Sequence, residues 1–278
     1  MMNDNLKVKD IILKALKEDK ETYDVTSEWL FDDQERSRAR LIAKEDGILS
    51  GIDVFKVVFK VIDDSIVVSS AFKEGDSIAK GQVVAELEGS TKGILYGERT
   101  ALNILQRMCG IATLTNACVK EVQNTKVKIV DTRKTAPGLR ILDKIAVRAG
   151  GGFNHRFNLS DGVLIKDNHI KACGSISEAI NRVKSHAPHT LKVEIEVESV
   201  SEFLEAMNAK ADIVMLDNMT LEDMKECVRL NQSNCTLEAS GNMKLDRLHA
   251  VAGTGVDVIS IGGLTHSVKA LDISLRFE

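Results

Sequence analysis

The chain is poor in the residues that mark several large protein classes. Aromatic residues make up 4% of its 278 positions, which leaves few rings on which bases could stack, and a formal net charge of -4 offers no cationic surface to a phosphate backbone. Both shortages exclude a nucleic-acid partner. The five cysteines (Cys109, Cys118, Cys173, Cys227 and Cys235) are scattered, odd in number and without CxxC spacing, so the chain carries neither a disulfide framework nor a zinc site. Reduced, mostly buried thiols are expected. No set of side chains has metal-ligand spacing, and no apolar run reaches the length of a membrane span. The first residues, MMNDNLKVKDIILKALKED, read as a polar start followed by an amphipathic helix, and the expectation is a soluble, cytoplasmic protein.

What is present divides the chain in two. A hydrophobic content of 44% supports a large core, and the pattern changes near residue 100. Residues 1–103 read as an α+β domain: the opening helix, then ARLIAKEDGILSGIDVFKVVFKVID, IVVSSAF and the turn-rich EGDSIAKGQVVAELEGSTKG. The last piece is similar to the half-barrel of lipoyl and biotinyl carrier domains, with Lys92 near a carrier lysine's place. The symmetric lysine-bearing hairpin is missing, however, and Gly-Asp turns are ordinary hairpin chemistry. The segment ERTALNILQRMCGIATLTNACVKEVQN is apolar around much of its circumference and reads as a buried helix, with Gly110 marking a break or a close backbone approach.

Residues 104–278 read as a β/α barrel whose last residues are free to return to the first domain. Six short apolar runs, VKIVD, GVLIKD, KVEIEVE, DIVMLDN, TLEAS and VDVISIGG, alternate with helical segments that open on SISE, SVSE and TLED, the signatures of capping boxes. Such alternation gives a parallel sheet, and six strands favour a barrel approaching the eight-stranded pattern over an open sheet.

In parallel β/α architectures the site gathers at the carboxyl ends of the strands. Each run here ends in polar residues: Asp131 with Arg133 and Lys134, Lys166 with Asp167, Glu196, Asp217 with Asn218, Ser240 with Gly241, and Gly262 with Gly263. A single strand-end charge is usually only solvated; six in register are a stronger signal. Residues 131–169 also hold seven Lys/Arg against four Asp/Glu, a local cationic excess that points to an anion pocket. Arg133 and Lys134 leave their strand together, which favours an anion site over a surface cluster with Asp131. Lys166 reads equally well as a ligand or as a rim ion pair. Glu194, Glu196 and Glu198 alternate, so they face one side of their strand and need cationic partners if buried.

In GGGFNHRFNL, three glycines call for unusual torsions or a close backbone approach, and His155 with Arg156 follows as an anion clamp. His169 reads as structural. Gly241, Gly262 and Gly263 follow the last two strands, where barrels bind phosphate on backbone N–H groups, and His266 lies on that side.

The ordered set ALKED, ERTALNILQRMCGIATLT, DTRKTAPGLR, AVRAGGGFNHRFNLSDGVLIKDNH, VEIEVES, MLDN, EASGN and GVDVISIGGLTHS closely resembles the quinolinate phosphoribosyltransferase family over nearly the whole chain. The resemblance implies an α+β N-terminal domain followed by an incomplete parallel β/α barrel. The implied reaction joins quinolinate to phosphoribosyl pyrophosphate (PRPP) with Mg²⁺, releasing pyrophosphate and carbon dioxide and giving nicotinate mononucleotide for NAD synthesis. It also implies an assembly of at least a homodimer. By motif, Arg99 resembles the arginine supplied across the dimer, while Arg133, His155 and Arg156 match the residues around the two quinolinate carboxylates. Lys134 and Lys166 fall between the two substrates, Glu196 and Asp217 near the ribose hydroxyls and the metal, and Ser240, Gly241, Gly262 and His266 at the phosphate end.

Two departures stand out: EDKETYDVTS lacks a glycine the family usually has there, and Gly241-Asn242 replaces a frequent double glycine. Two other readings compete. One is a related transferase with another acceptor, against which Arg99, His155 and Arg156 speak. The other is a silent phosphosugar-binding protein, against which the acid pair Glu196 and Asp217 speaks.

Overall fold

The computed structural model describes residues 2–20, 22–232 and 235–278; Glu21, in the departed EDKETYDVTS segment, lies outside them. The elements in chain order begin with α1 (Met2–Asp19), α2 (Val25–Leu30), β1 (Arg36–Ala43), β2 (Gly47–Ile48), α3 (Ile52–Ile62), β3 (Val67–Ser69), β4 (Ser77–Ile78), β5 (Val83–Ser90) and α4 (Thr91–Glu121). They continue with β6 (Lys128–Val130), α5 (Arg140–Ala149), β7 (Val163–Ile165), α6 (Asp167–Cys173), α7 (Ile176–Lys184), β8 (Val193–Val197) and α8 (Val200–Asn208). Last come β9 (Ile213–Asp217), α9 (Leu221–Leu230), β10 (Thr236–Ser240), α10 (Leu245–Ala252), β11 (Val258–Ser260), α11 (Gly263–His266) and β12 (Ile273–Phe277). They form two compact units, one of Met1–Asn116, Thr135–Gly151 and Thr265–Glu278, the other of Ala117–Lys134 and Gly152–Leu264.

The first unit is built on an antiparallel sheet of order β12-β1-β5-β3. Period-two alternation sorts its faces. Ala39 opposite Leu87 and Leu41 opposite Ala85 and Leu275 point to the core, while Arg38 pairs with Glu88 and Arg40 with Glu86 on the open face. Helix α3 buries Ile52, Phe55, Val58 and Phe59, each contributing roughly 1.5–3 kcal/mol relative to exposure. Phe55 and Phe59 meet edge to face, with ring centroids 5.0 Å apart. In α4, Gly110 marks a close approach and not a break: a Cβ there would lie 2.1 Å from the Lys269 carbonyl oxygen, and the helix runs through it. Lys92 sits in the first turn of α4, paired with Glu28 and Asp33, which is no carrier hairpin.

The second unit is a six-stranded parallel sheet of order β6-β11-β10-β9-β8-β7 with helices between its strands. Five strands follow sequence order, and the first, β6, pairs with the last, β11, as in a ring. Among the described residues no ladder joins β6 to β7, so the ring is incomplete at that point. The N-cap half of the capping signals is present: Ser175, Ser199 and Thr220 accept hydrogen bonds from the backbone N–H groups of Glu178, Glu202 and Asp223 at the starts of α7, α8 and α9. Helices α8 and α9 thus start just after the polar ends of β8 and β9, and the strand ends of the sheet open to a common cavity.

Candidate active site

The strand ends of the second unit line a cavity of about 460 Å³. Four cations, Arg133, Lys134, Arg156 and Lys166, face it together with Glu196, Asp217 and Glu238, His155, and the polar turn Ser240-Gly241-Asn242. The sequence motifs thus converge although the lining runs from Thr132 to Ser260 along the chain.

The loop after α5 explains its glycines. A Cβ on Gly150 would lie 2.4 Å from the Ala112 carbonyl oxygen, and Gly151 has φ +89°, so neither position accepts a side chain without strain. Beyond them the chain joins the edge of β6. Phe153 N–H donates to Ile129 O at 2.8 Å, and Asp131 N–H donates to Phe153 O at 3.2 Å. The fully buried Asp131 then accepts the backbone N–H of His155 at 2.9 Å. This single parallel bridge between Val130 and Phe153, with the bond to Asp131, delivers His155 and Arg156 to the cavity.

His155 is held by its ring as well. Nε2 lies 3.2 Å from Glu194 and 3.5 Å from Glu238, both buried, while Nδ1 accepts the Arg156 backbone N–H at 2.7 Å. Burial pulls the imidazole pKa down, and the two glutamates more than offset it, raising it to about 10. A second ring proton has only Nδ1 to occupy, so charging the ring costs the bond to Arg156. His155, Glu194 and Glu238 each bring a ligand-type atom within 4.8 Å of the others. Nε2 carries a proton in the neutral ring that accepts at Nδ1 and in the charged ring alike, so it donates toward the two carboxylates and the trio forms a hydrogen-bonded set. Burial raises the Glu194 carboxyl, and its bond to His155 acts against that rise.

Arg156 donates through Nη1 to Gly162 O at 3.2 Å, and its guanidinium pKa is lowered by burial and by the charge of Arg133. The charges of Glu194 and Asp161 act against that lowering, and the two guanidinium groups line the cavity together, a pairing suited to carboxylates. Lys166 pairs with Glu196 at 2.6 Å, so both alternatives for this lysine meet in one residue: it is ion-paired and it lines the cavity. His169 is structural as expected, its Nδ1 accepting the Lys166 N–H at 2.9 Å at the start of α6. Of the three alternating glutamates, Glu194 is buried, Glu196 lines the cavity and Glu198 lies exposed beyond the strand.

Asp217, at the end of β9, has a carboxyl raised first by burial and then by the charge of Glu196, with the Asn218 amide bond at 2.8 Å pulling the other way. Its neighbours form a strained turn. Asn218, Gly241 and Asn242 all have positive φ, at 53°, 86° and 47°. Asn218 N–H donates to Ser240 O at 3.0 Å, and the Asn242 amide donates to Asn218 Oδ1 at 3.0 Å. A Cβ at Gly241 would fall 2.3 Å from Asn218 Oδ1, so glycine is obligatory there, whereas Asn242 tolerates the left-handed conformation. Glycine is not required at residue 242.

Three expected residues lie away from this cavity's lining. Arg99 is exposed on α4 in the first unit, Gly262 lies between β11 and α11, and His266 is exposed with Nδ1 2.6 Å from Ser267 Oγ. Conversely, Glu238, Asn242, Thr132 and Ser260 line the cavity without having been singled out as site residues, while Asn218 lines it as the strand-end partner of Asp217. Glu238 was detectable: it stands two residues before Ser240 in a strand and so shares its face.

Comparison with known proteins gives the chain a family. Residues 24–109 match the description "Quinolinate phosphoribosyl transferase, N-terminal domain", and residues 111–276 match the corresponding C-terminal domain. The chain is 45% identical over 98% of its length to the "probable nicotinate-nucleotide pyrophosphorylase [carboxylating]" of Bacillus subtilis, covering 93% of that protein. It is 41% identical over 98% of its length to "quinolinate phosphoribosyltransferase [decarboxylating] 1" of Nicotiana glauca, covering 82% of it. Among solved structures it is similar to NadC from Streptococcus pyogenes, with a TM-score of 0.94, 41% identity and 98% of each chain covered.

Proposed function

The chain belongs to the quinolinate phosphoribosyltransferase family, and from that premise we propose that it transfers the phosphoribosyl group of PRPP to quinolinate with decarboxylation. The products are nicotinate mononucleotide, pyrophosphate and carbon dioxide, in the synthesis of NAD. The observation that carries this reading is the convergence of Arg133, Lys134, Arg156 and Lys166 on one cavity, a cationic lining that suits a dicarboxylate and a pyrophosphate.

In this reading Arg133 and Arg156 take the two carboxylates beside His155, and Lys134 and Lys166 lie between acceptor and PRPP. As the bond from C1 of the ribose to pyrophosphate breaks, positive charge grows on the sugar ring. Glu196 and Asp217 stabilise that charge, and the two lysines neutralise the leaving group. The pyridine nitrogen then bonds to C1 and becomes cationic. That cation accepts the electron pair left at C2 when carbon dioxide departs, and C2 takes a proton. The protein contributes chiefly by positioning the reactants and by its fixed charges. Ser240 and Gly241 serve the phosphate end of PRPP, with Gly262 and His266 following the next strand.

Glu196 and Asp217 also fit Mg²⁺: they offer oxygen donors only, and the charge of Glu196 acts on Asp217. The ion would supply positive charge to the pyrophosphate. The same reading makes the protein a cytoplasmic homodimer in which Arg99 serves the partner's acceptor site.

The test is a coupled assay with quinolinate, PRPP and Mg²⁺, following carbon dioxide and nicotinate mononucleotide, with nicotinate as control acceptor. Product from quinolinate and none from nicotinate is the expected result. Absence of product from quinolinate would overturn the reading.

A further inference from the structure

We propose that Glu194 and Glu238 are positioning residues for acceptor binding: by holding the His155 ring they set the segment from which Arg156 reaches the dicarboxylate. The inference deepens the proposed function and rests on it.

The geometry consists of four contacts that meet on one residue. Glu194 comes from β8, Glu238 from β10, and Asp131 from the chain just after β6, so three strands of the sheet each bring a buried carboxylate to His155. Asp131 takes its backbone N–H at 2.9 Å, and Glu194 and Glu238 lie 3.2 and 3.5 Å from Nε2. The remaining nitrogen, Nδ1, faces inward along the chain and accepts the Arg156 N–H at 2.7 Å. Every nitrogen of His155 is thus engaged within the protein. The ring serves as a spacer between two strands and the backbone of Arg156, whose guanidinium lines the cavity.

An acceptor site for a dianion has no electrostatic use for two carboxylates so close by. Their presence costs binding energy through repulsion, and so demands a role that offsets it. Orientation is such a role. The GGGFNHRFNL loop has no helix or ladder of its own around Arg156, and the ring is the element that ties it to β8 and β10. Nε2 carries a proton whether the imidazole is neutral or charged, so the hold of Glu194 and Glu238 on the ring does not depend on the charge state, whereas the Nδ1 bond to Arg156 belongs to the neutral ring. Glu194 and Glu238 are the groups that keep the proton on that nitrogen.

The experiment compares the wild-type chain with Glu194→Ala/Glu238→Ala and Glu194→Gln/Glu238→Gln. It measures KM separately for quinolinate and PRPP, and follows the His155 ring by ¹⁵N NMR. Loss of a buried hydrogen-bonding pair should raise the quinolinate KM by about tenfold or more in the alanine variant, with the PRPP KM within about twofold of wild type. The glutamine variant retains an acceptor for Nε2–H and should recover most of the loss. In wild type the Nε2–H signal should be protected from exchange, and in the alanine variant it should not be. If the double variant fails to fold, Glu238→Ala alone gives the same comparison. An unchanged quinolinate KM, or equal increases for both substrates, would overturn the inference. A wild-type chain inactive with quinolinate would instead overturn the functional reading beneath it.

Discussion

At the scale of single residues, charge decides the behaviour of the site. Arg156→Ala should raise the quinolinate KM about tenfold to a hundredfold, the loss of one charge-assisted contact, while leaving the thermal midpoint near wild type; steady-state kinetics and a melting curve check both halves. Asp217 offers a second test. Its carboxyl lies above the usual aspartate value because of burial and the charge of Glu196, so Glu196→Gln should move it down, a shift measurable by carboxyl ¹³C titration. The sign follows from removing a like charge, and Lys166, freed from its partner, acts in the same direction. Much of this was legible in the sequence, since Arg133, Lys134, Lys166, Glu196 and Asp217 all end predicted strands. The function of Glu194 and Glu238 was not, because a carboxylate inside VEIEV or TLEAS shows its partner only after folding brings residue 155 against it.

At the scale of elements, the turns after β9 and β10 govern the phosphate end. Gly241→Ala places a side chain at φ +86° and against Asn218 Oδ1, and should cost about 1–3 kcal/mol. A lowered thermal midpoint together with weakened PRPP binding is the expected outcome, measured by calorimetry with and without PRPP. The helices were readable from their caps because Ser175, Ser199 and Thr220 act over three residues. Strand ends were readable for the same local reason. The position of β6 beside β11 was not, since pairing between strands so far apart leaves no periodicity in either.

At the scale of the whole molecule, the proposed homodimer makes a quantitative prediction. Arg99→Ala and Arg133→Ala chains, each inactive alone, should regain about a quarter of wild-type activity when mixed and reassociated, because half the dimers are mixed and each mixed dimer holds one intact site. A mixture that stays inactive after verified subunit exchange would exclude the shared arrangement.

The order of synthesis adds a further consequence. β1 takes β12 as its partner, with Ala39 opposite Phe277 and Ala43 opposite Ile273. On the ribosome, therefore, one edge of the first sheet waits for nearly the entire remaining chain to be translated. Until then β1 is an open edge with unpaired backbone groups, a template for contact with other nascent chains. The sheet closest to the start of the message is the last to be finished, and the chain depends most on protection from aggregation during the interval when its own final strand is still unmade.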